Sequence, residues 1–206
     1  MELVGKLKTL YGENEPILID DIRNVFSNYS IPRVAQLIDQ MIEEDKIARF
    51  GTGIYYIPTE TIFGKSKLNF QKVVEKKYIK DDKNVFGFYT GVTLANTLGI
   101  TMQVPNVIEI YTNKETTRVR NVEVGNQTVR LRRARVQITN KNFKELQLLE
   151  LLNQLSNKDV ILYKNNLINY VKEEKINSKS LLEYVQSYPA KTFKNLMLSG
   201  VLYGTL

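Results

Sequence analysis

The densest group of chemically active side chains in the sequence is a run of arginines in its second half. Six of the nine Arg residues lie within residues 114–135, which carry a net charge of +5. They are Arg118, Arg120, Arg130, Arg132, Arg133 and Arg135, called the basic patch below. A guanidinium presents a planar fork of donors that matches two phosphate oxygens. The basic patch therefore predicts contact with nucleic acid or another polyanion, and a solvated sheet face is the competing interpretation.

Three residue types are absent from the chain, and their absence limits the catalytic mechanisms it can use. The 206 residues contain no His, Cys or Trp, which excludes a Ser-His-Asp triad, a thiol nucleophile, disulfides and zinc held by His or Cys. Two segments contain the residue types of a metal-dependent nuclease site: Asp81-Asp82-Lys83 and Glu173-Glu174-Lys175. Both fall at predicted turns or helix ends, where solvated charges are normal. No phosphate-binding glycine loop is present. We therefore expect no enzyme, no cofactor and no metal site.

The charge of the chain is unevenly distributed. The net charge is +7, but residues 1–58 carry −3 and residues 59–206 carry +10. A basic excess of this kind favours an anionic partner, nucleic acid first. No apolar run is long enough for a membrane span. The first residues do not have the pattern of a secretory signal, because Lys6 and Lys8 interrupt their apolar positions. We expect a cytoplasmic protein with no membrane partner.

The elements predicted for residues 1–58 follow the order of a winged helix-turn-helix. Two short helices flank an extended run at 16–19, and a strongly amphipathic helix covers Ile31–Glu44, with Ser30 as its cap and Pro32 in its first turn. Two strand-like runs, Lys46–Phe50 and Ile54–Pro58, then surround Gly51-Thr52-Gly53, which predicts a hairpin. In this architecture the third helix enters the major groove and the hairpin is the wing. A small helical domain used for protein contact is the alternative.

Exposed polar residues of this segment are the predicted contacts to DNA. The start of the third helix presents side chains that can read base edges, and the wing presents side chains that can contact phosphates. The predicted DNA-binding residues are Ser30, Arg33, Gln36, Gln40, Lys46, Arg49 and Thr52. The alternative for the wing is that Lys46 and Arg49 only offset the acidic residues at 43–45.

Residues 59–68 are predicted to be a linker, and residues 69–206 a mixed α/β domain. Two strands flanking Gly125-Asn126 should form a hairpin with Val122 opposite Val129. That register places Arg130 and Arg132 on a solvated face. Helices are expected at about 69–80, 142–155, 164–175, 178–186 and 190–198. The predicted fold class is α+β: an N-terminal winged helix-turn-helix followed by a mixed α/β C-terminal domain with a short β-sheet and several helices.

Two blocks of this sequence resemble AbiEi-type antitoxins. The first is ILIDDIRNVFSNYSIPRVAQLIDQMIEEDKIARFGTGIYYIP, and the second is GFYTGVTLANTLGITMQVPNVIEIYTNK. The matching positions are Gly51, Gly53, Ile54, Tyr55, Tyr56 and Pro58, then Gly91, Leu98, Gly99, Ile100, Thr101, Gln103 and Pro105. The resemblance covers roughly residues 1–155, and the two blocks in this order are more specific than the first alone.

The resemblance implies the antitoxin of a type IV toxin–antitoxin, or abortive-infection, system. Such a protein binds inverted repeats of double-stranded DNA in its own promoter and represses transcription. It also counteracts a nucleotidyltransferase-type toxin, and a stable antitoxin–toxin complex is not implied. The alternative is a winged-helix transcriptional regulator whose C-terminal domain senses a ligand or dimerises. The presence of a nucleotidyltransferase gene directly downstream would separate the two.

Overall fold

The computed structural model describes residues 2–203, which fold into two compact units. The first unit runs to Lys77 and takes in Val124–Asn126. The second unit holds Tyr78–Glu123 and the chain from Gln127 onward. Across the described residues, ten α-helices and three small sheets make up an α+β fold, as predicted.

Three helices and a three-stranded sheet form most of the first unit. In chain order the elements are α1 (Glu2–Tyr11), β1 (Ile17–Leu18), α2 (Ile19–Val25), α3 (Ile31–Glu43), β2 (Ala48–Gly51) and β3 (Ile54–Tyr56). Strand β3 is central and runs antiparallel to both neighbours, with Tyr55 opposite Ile17 of β1 and Arg49 of β2. The predicted order of these elements is confirmed, and the differences are confined to their end residues.

Helix α3 is held against the unit by one apolar stripe. Its residues Val34, Leu37, Ile38 and Met41 are buried, as the helical spacing predicts. The surrounding core consists of Leu7, Ile17, Ile22, Phe26, Ile47, Tyr55 and Ile57. Pro32 lies in the first turn, where a missing backbone donor costs nothing. Ser30 precedes the helix, but its side chain makes no capping hydrogen bond, so the predicted cap interaction is absent.

Residues 59–68 form a hairpin instead of the predicted linker. Its strands are β4 (Glu60–Thr61) and β5 (Gly64–Lys65), which pair antiparallel. Helix α4 (Phe70–Val74) and a π-helical turn (Glu75–Ile79) follow, close to the helix predicted at 69–80. The first unit therefore continues to Lys77, well beyond the predicted domain boundary at residue 58.

Ion pairs connect this segment to earlier residues of the first unit. Its lysines meet acidic residues that precede residue 58, in the pairs Lys65–Asp45 at 3.0 Å, Lys76–Asp21 at 3.0 Å, and Lys72–Glu15. Through Lys77 the chain has eleven Lys and Arg residues against eleven Asp and Glu residues. The acidic surplus of residues 1–58 is thus neutralised within the first unit.

A four-stranded mixed sheet lies in the second unit. Its strands are β6 (Gly87–Thr90), β7 (Ile108–Thr112), β8 (Val119–Val124) and β9 (Gln127–Arg133), in the order β6-β7-β9-β8. Strand β7 is antiparallel to β6 and parallel to β9, with Glu109 opposite Arg130 and Tyr111 opposite Arg132. The Arg133 amide donates to the Arg118 carbonyl at 3.4 Å, which fits the predicted hairpin register.

Gly87 allows strand β6 to lie close to the backbone carbonyl groups of neighbouring segments. A Cβ at this position would lie 2.1 Å from the Tyr78 carbonyl oxygen and 2.9 Å from that of Tyr111. Both distances are shorter than any van der Waals contact with backbone. Only glycine leaves the space that strand β6 needs.

Six helices complete the second unit. They are α5 (Gly91–Thr97), α6 (Phe143–Gln154), α7 (Asn157–Leu162), α8 (Lys164–Glu173), α9 (Ser178–Tyr184) and α10 (Ala190–Ser199). Leucines of α6, including Leu149 and Leu152, lie at the centre of their shared core. The four helices predicted after residue 140 are confirmed. Helix α7 was not predicted, although Ser156 and Asp159 form a capping box at its start.

Candidate nucleic-acid interface

The solvent side of α3 carries the side chains that were predicted to read bases. Ser30, Arg33, Gln36 and Gln40 are all exposed. The Arg33 guanidinium donates to Gln36 Oε1 at 3.2 Å, so these two side chains lie together on one face. Gln40, one turn further, donates instead to Glu44 at 2.9 Å. The exposed surface therefore has a neutral-to-basic start and an acidic end.

The hairpin of β2 and β3 presents its predicted residues at the surface as well. Lys46, Arg49 and Thr52 are exposed. Arg49 lies 3.5 Å from Asp39 of α3 and above the Tyr55 ring at 5.6 Å, while Lys46 pairs with Glu44. These pairs match in part the alternative that the wing cations offset nearby acids. Exposed ion pairs contribute little free energy, so phosphates can displace them.

The two central arginines of the basic patch do not lie on an open, solvated face. Arg130 Nη1 lies 3.0 Å from Glu109 Oε1, and Arg132 Nε lies 2.9 Å from Glu109 Oε2. The Arg130 side chain is 34% exposed and that of Arg132 is 29% exposed. The predicted solvated placement is therefore wrong. Strand β7 runs parallel to β9 and brings a carboxylate between the two guanidiniums.

The opposite face of the hairpin is apolar, as predicted. Val124, Val129 and Leu131 are buried, and Val122 is partly buried. The predicted alternation along the two strands is thus confirmed, and only the environment of the charged face differs. The period of two assigns residues to faces but does not say which residues a third strand adds to each face.

Arg120 and Arg135 are each held by a buried glutamate. Arg120 Nε donates to Glu115 Oε2 at 2.9 Å, and Glu115 is only 4% exposed. Arg135 Nε lies 3.2 Å from Oε1 of Glu150, which is 1% exposed. The Arg135 guanidinium also stacks over the Tyr188 ring, with 5.4 Å to the centroid. These contacts fix both arginines in one orientation.

The remaining two arginines of the basic patch are unpaired. Among residues 2–203, no carboxylate or side-chain acceptor lies within bonding distance of the Arg118 or Arg133 guanidinium, and both residues are exposed. Together with Arg132 and Arg135 they line a cleft of about 780 Å³ in the second unit. Its other lining residues include Gly91, Val92, Glu109, Tyr111, Asn153 and Gln154. Four of the six predicted patch residues thus share one cavity.

Glu109, Asn153 and Gln154 line the cleft, and Glu150 pairs with its Arg135. The sequence singled out none of the four as a site residue. Glu109 is the one charge on an otherwise apolar strand, and Glu150 is the one charge in the leucine-rich run 148–152. A lone carboxylate in an apolar segment is a signal for a buried pairing, because an unpaired buried charge is costly. Asn153 and Gln154 follow Glu150 on α6 and gave no comparable signal.

The described part of the chain contains neither a cluster of metal ligands nor a helix that could span a membrane. Residues 2–203 hold no group of three or more Asp and Glu side chains arranged to hold a metal ion. Within the same residues, every helix is too short or too polar to cross a bilayer.

Comparison with known proteins identifies a family for this chain. No curated protein matches the chain at a significant level. A family profile covers most of the first unit and most of the second, including α3, the hairpin of β2 and β3, the basic patch and α6. The chain therefore belongs to DUF6088, a family of unknown function whose profile matches residues 13–179.

Proposed function

We propose that this protein is a DNA-binding transcriptional autorepressor whose first unit is a winged helix-turn-helix. The order α1-β1-α2-α3-β2-β3 supports this proposal, with β1 completing a small antiparallel sheet against the hairpin. In that architecture α3 lies in the major groove and the hairpin of β2 and β3 lies beside the backbone. A repressor of its own promoter acts in the cytoplasm.

The observation that carries the proposal is the exposed face of α3. It presents Arg33 and Gln36 in contact with each other, opposite a fully buried apolar stripe. Arg reads guanine and Gln reads adenine in the major groove through paired hydrogen bonds. No acidic residue lies in the first turn of α3. Asp39, on the exposed side further along, pairs with Arg49, and Glu43 and Glu44 lie at the C-terminal end.

Charge in the second unit supports DNA binding at longer range. The first unit is neutral by formal charge, so the whole net charge of +7 comes from the second unit. Sequence-independent affinity for DNA depends mainly on positive charge that replaces counterions. The basic patch is the densest source of such charge in the chain.

The test is a gel-shift titration with the DNA upstream of the protein's own gene. Arg33→Ala and Gln36→Ala should each weaken binding to the specific site by about 1–3 kcal/mol and affect random DNA much less. Lys8→Ala on α1 is a matched control for the lost positive charge, because Lys8 only pairs with Glu13 at the surface. Unchanged affinity of the R33A/Q36A double variant would exclude α3 as the recognition helix.

We further propose that the protein is an antitoxin against a nucleotidyltransferase-type toxin. The resemblance of residues 17–58 and 87–114 to AbiEi-type antitoxins supports this part. Co-expression with the product of a downstream nucleotidyltransferase gene tests it: growth should be restored by the intact chain. Absence of such a gene, or failure to restore growth, would contradict it.

A second candidate is a winged-helix regulator whose second unit senses a ligand. The cleft lined by Arg118, Arg132, Arg133 and Arg135 favours this candidate, because it offers a formed cavity for an anion. The two candidates share DNA binding and differ in whether a small molecule changes it. Titrating the gel shift with anionic metabolites separates them.

A further inference from the structure

We infer that the cleft of the second unit binds a small ligand that carries a di- or triphosphate group. The inference names a ligand class for the second candidate function and depends on neither DNA binding by α3 nor a toxin. Four guanidiniums line one cavity, and a single lining carboxylate, that of Glu109, opposes them. The lining therefore has a formal charge of +3, which complements the charge of a nucleotide-type polyphosphate.

The four arginines divide into two that are held in place and two that are free. Arg132 is oriented by Glu109 and Arg135 by Glu150, each through its Nε atom. Arg118 and Arg133 have no side-chain partner among residues 2–203, although the Arg133 amide, at the end of β9, donates to the carbonyl of Arg118, the residue before β8. The two paired guanidiniums are preorganised for binding, and the two unpaired ones can move to contact a ligand without breaking an existing ion pair.

The shape of the site favours a small molecule over a nucleic-acid strand. A cavity of about 780 Å³ lies in the range of small-molecule sites. The Glu109 carboxylate lies between Arg130 and Arg132 on the sheet face, so it repels a phosphate chain that follows β9. The amides of Asn153 and Gln154 and the ring of Tyr111 line the wall, and they can contact a nucleoside attached to the phosphates.

The test is isothermal titration calorimetry on the full chain with four probes: pyrophosphate, tripolyphosphate, ATP and GTP. Wild type should bind at least one of them. Arg118→Gln with Arg133→Gln should weaken that binding at least about tenfold, because a hydrogen bond to a charged group contributes about that factor. Lys172→Gln with Lys179→Gln removes the same charge from exposed positions on α8 and α9 outside the cleft, and should change affinity less than about twofold.

Arg118 and Arg133 make no side-chain contact that the fold needs, so the R118Q/R133Q variant should melt at the same temperature as wild type. An unchanged melting temperature confirms that the variant is folded. Equal affinity for pyrophosphate and ATP supports recognition of the phosphates alone, and tighter binding of ATP or GTP supports a nucleotide. Three results would overturn the inference: no binding of any probe, equal loss in the lysine control, or binding of a single-stranded oligonucleotide without binding of the four probes. A gel shift with the R118Q/R133Q variant distinguishes failure of this inference from failure of the proposed role of α3, because the variant should still bind the specific DNA site.

Discussion

The pKa values of two buried glutamates in the second unit are shifted in opposite directions because their surroundings differ. Burial by itself raises the pKa of Glu115, but hydrogen bonds from Thr117 and Arg120 outweigh burial and hold the pKa below its ordinary value of 4.5. Burial raises the pKa of Glu150 above 4.5, and the facing Arg135 reverses only part of that effect. Neither Glu150 oxygen accepts a hydrogen bond of good geometry within residues 2–203.

Glu115→Gln should destabilise the protein at neutral pH. The native state binds fewer protons at this site than the unfolded chain, so ionised Glu115 contributes stability above pH 4.5 that is lost as pH falls through the lowered pKa. We expect a cost of about 1–3 kcal/mol near pH 7, because hydrogen bonds to a carboxylate are lost. Thermal melts should show the variant and wild type converging towards acid pH. A difference that stays constant with pH would contradict this account.

Glu150→Gln should show the reverse trend. Wild type loses stability as pH rises from 4.5 to the raised pKa, because the carboxyl ionises in the unfolded chain over this interval while the buried native carboxyl keeps its proton. The variant cannot ionise at this position. The melting temperature of Glu150→Gln relative to wild type should therefore increase with pH over that interval. A relative melting temperature that decreases would show that the Arg135 pair outweighs burial.

At the scale of elements, the hairpin of β2 and β3 is predicted to bind phosphates without reading sequence. Arg49→Ala should weaken binding to specific and random DNA alike and reduce the salt slope by about 1. Asp39→Asn is the complementary variant, because it releases Arg49 from its 3.5 Å ion pair and should preserve or raise affinity. Filter-binding titrations over a range of salt measure both. A loss confined to the specific site would assign Arg49 to base recognition instead.

At the scale of the whole molecule, the positive charge of the second unit is predicted to raise DNA affinity. Reversing Arg130 and Arg132 alone would place three carboxylates together and destabilise the fold, because Glu109 lies between them. Exchanging all three charges, as Glu109→Arg, Arg130→Glu and Arg132→Glu, keeps the pairing and lowers the net charge by two units.

The triple variant should remain folded and bind DNA more weakly at low salt, with the difference shrinking as salt screens the field. Lys158→Glu on α7 changes the net charge equally at an exposed position away from the basic patch. Equal effects of the two changes would assign the contribution to overall charge and not to the patch. Co-expression with the toxin, measured on the same variants, shows whether the patch serves repression or antitoxin activity.

The sequence by itself determined the features that depend on near neighbours along the chain. The apolar stripe of α3 and the alternation along β8 and β9 follow from periods of 3.6 and 2, so their buried faces were predicted correctly. The exposed positions of Arg33, Gln36 and Arg49 follow from the same periods. The absence of His and Cys restricted the chemistry without any structure.

Only the tertiary structure decided what those faces meet. The parallel pairing of β7 with β9 brings Glu109 between Arg130 and Arg132, although they are about twenty residues apart in sequence. Helix α6 brings Glu150 to Arg135 in the same way, and together these elements turn a charged strand face into a cleft. The lysines after residue 58 pair with acids of the first unit that are distant in sequence. Periodicity reports the face on which a residue lies, whereas its partner is set by strand order and helix packing, which no local pattern encodes.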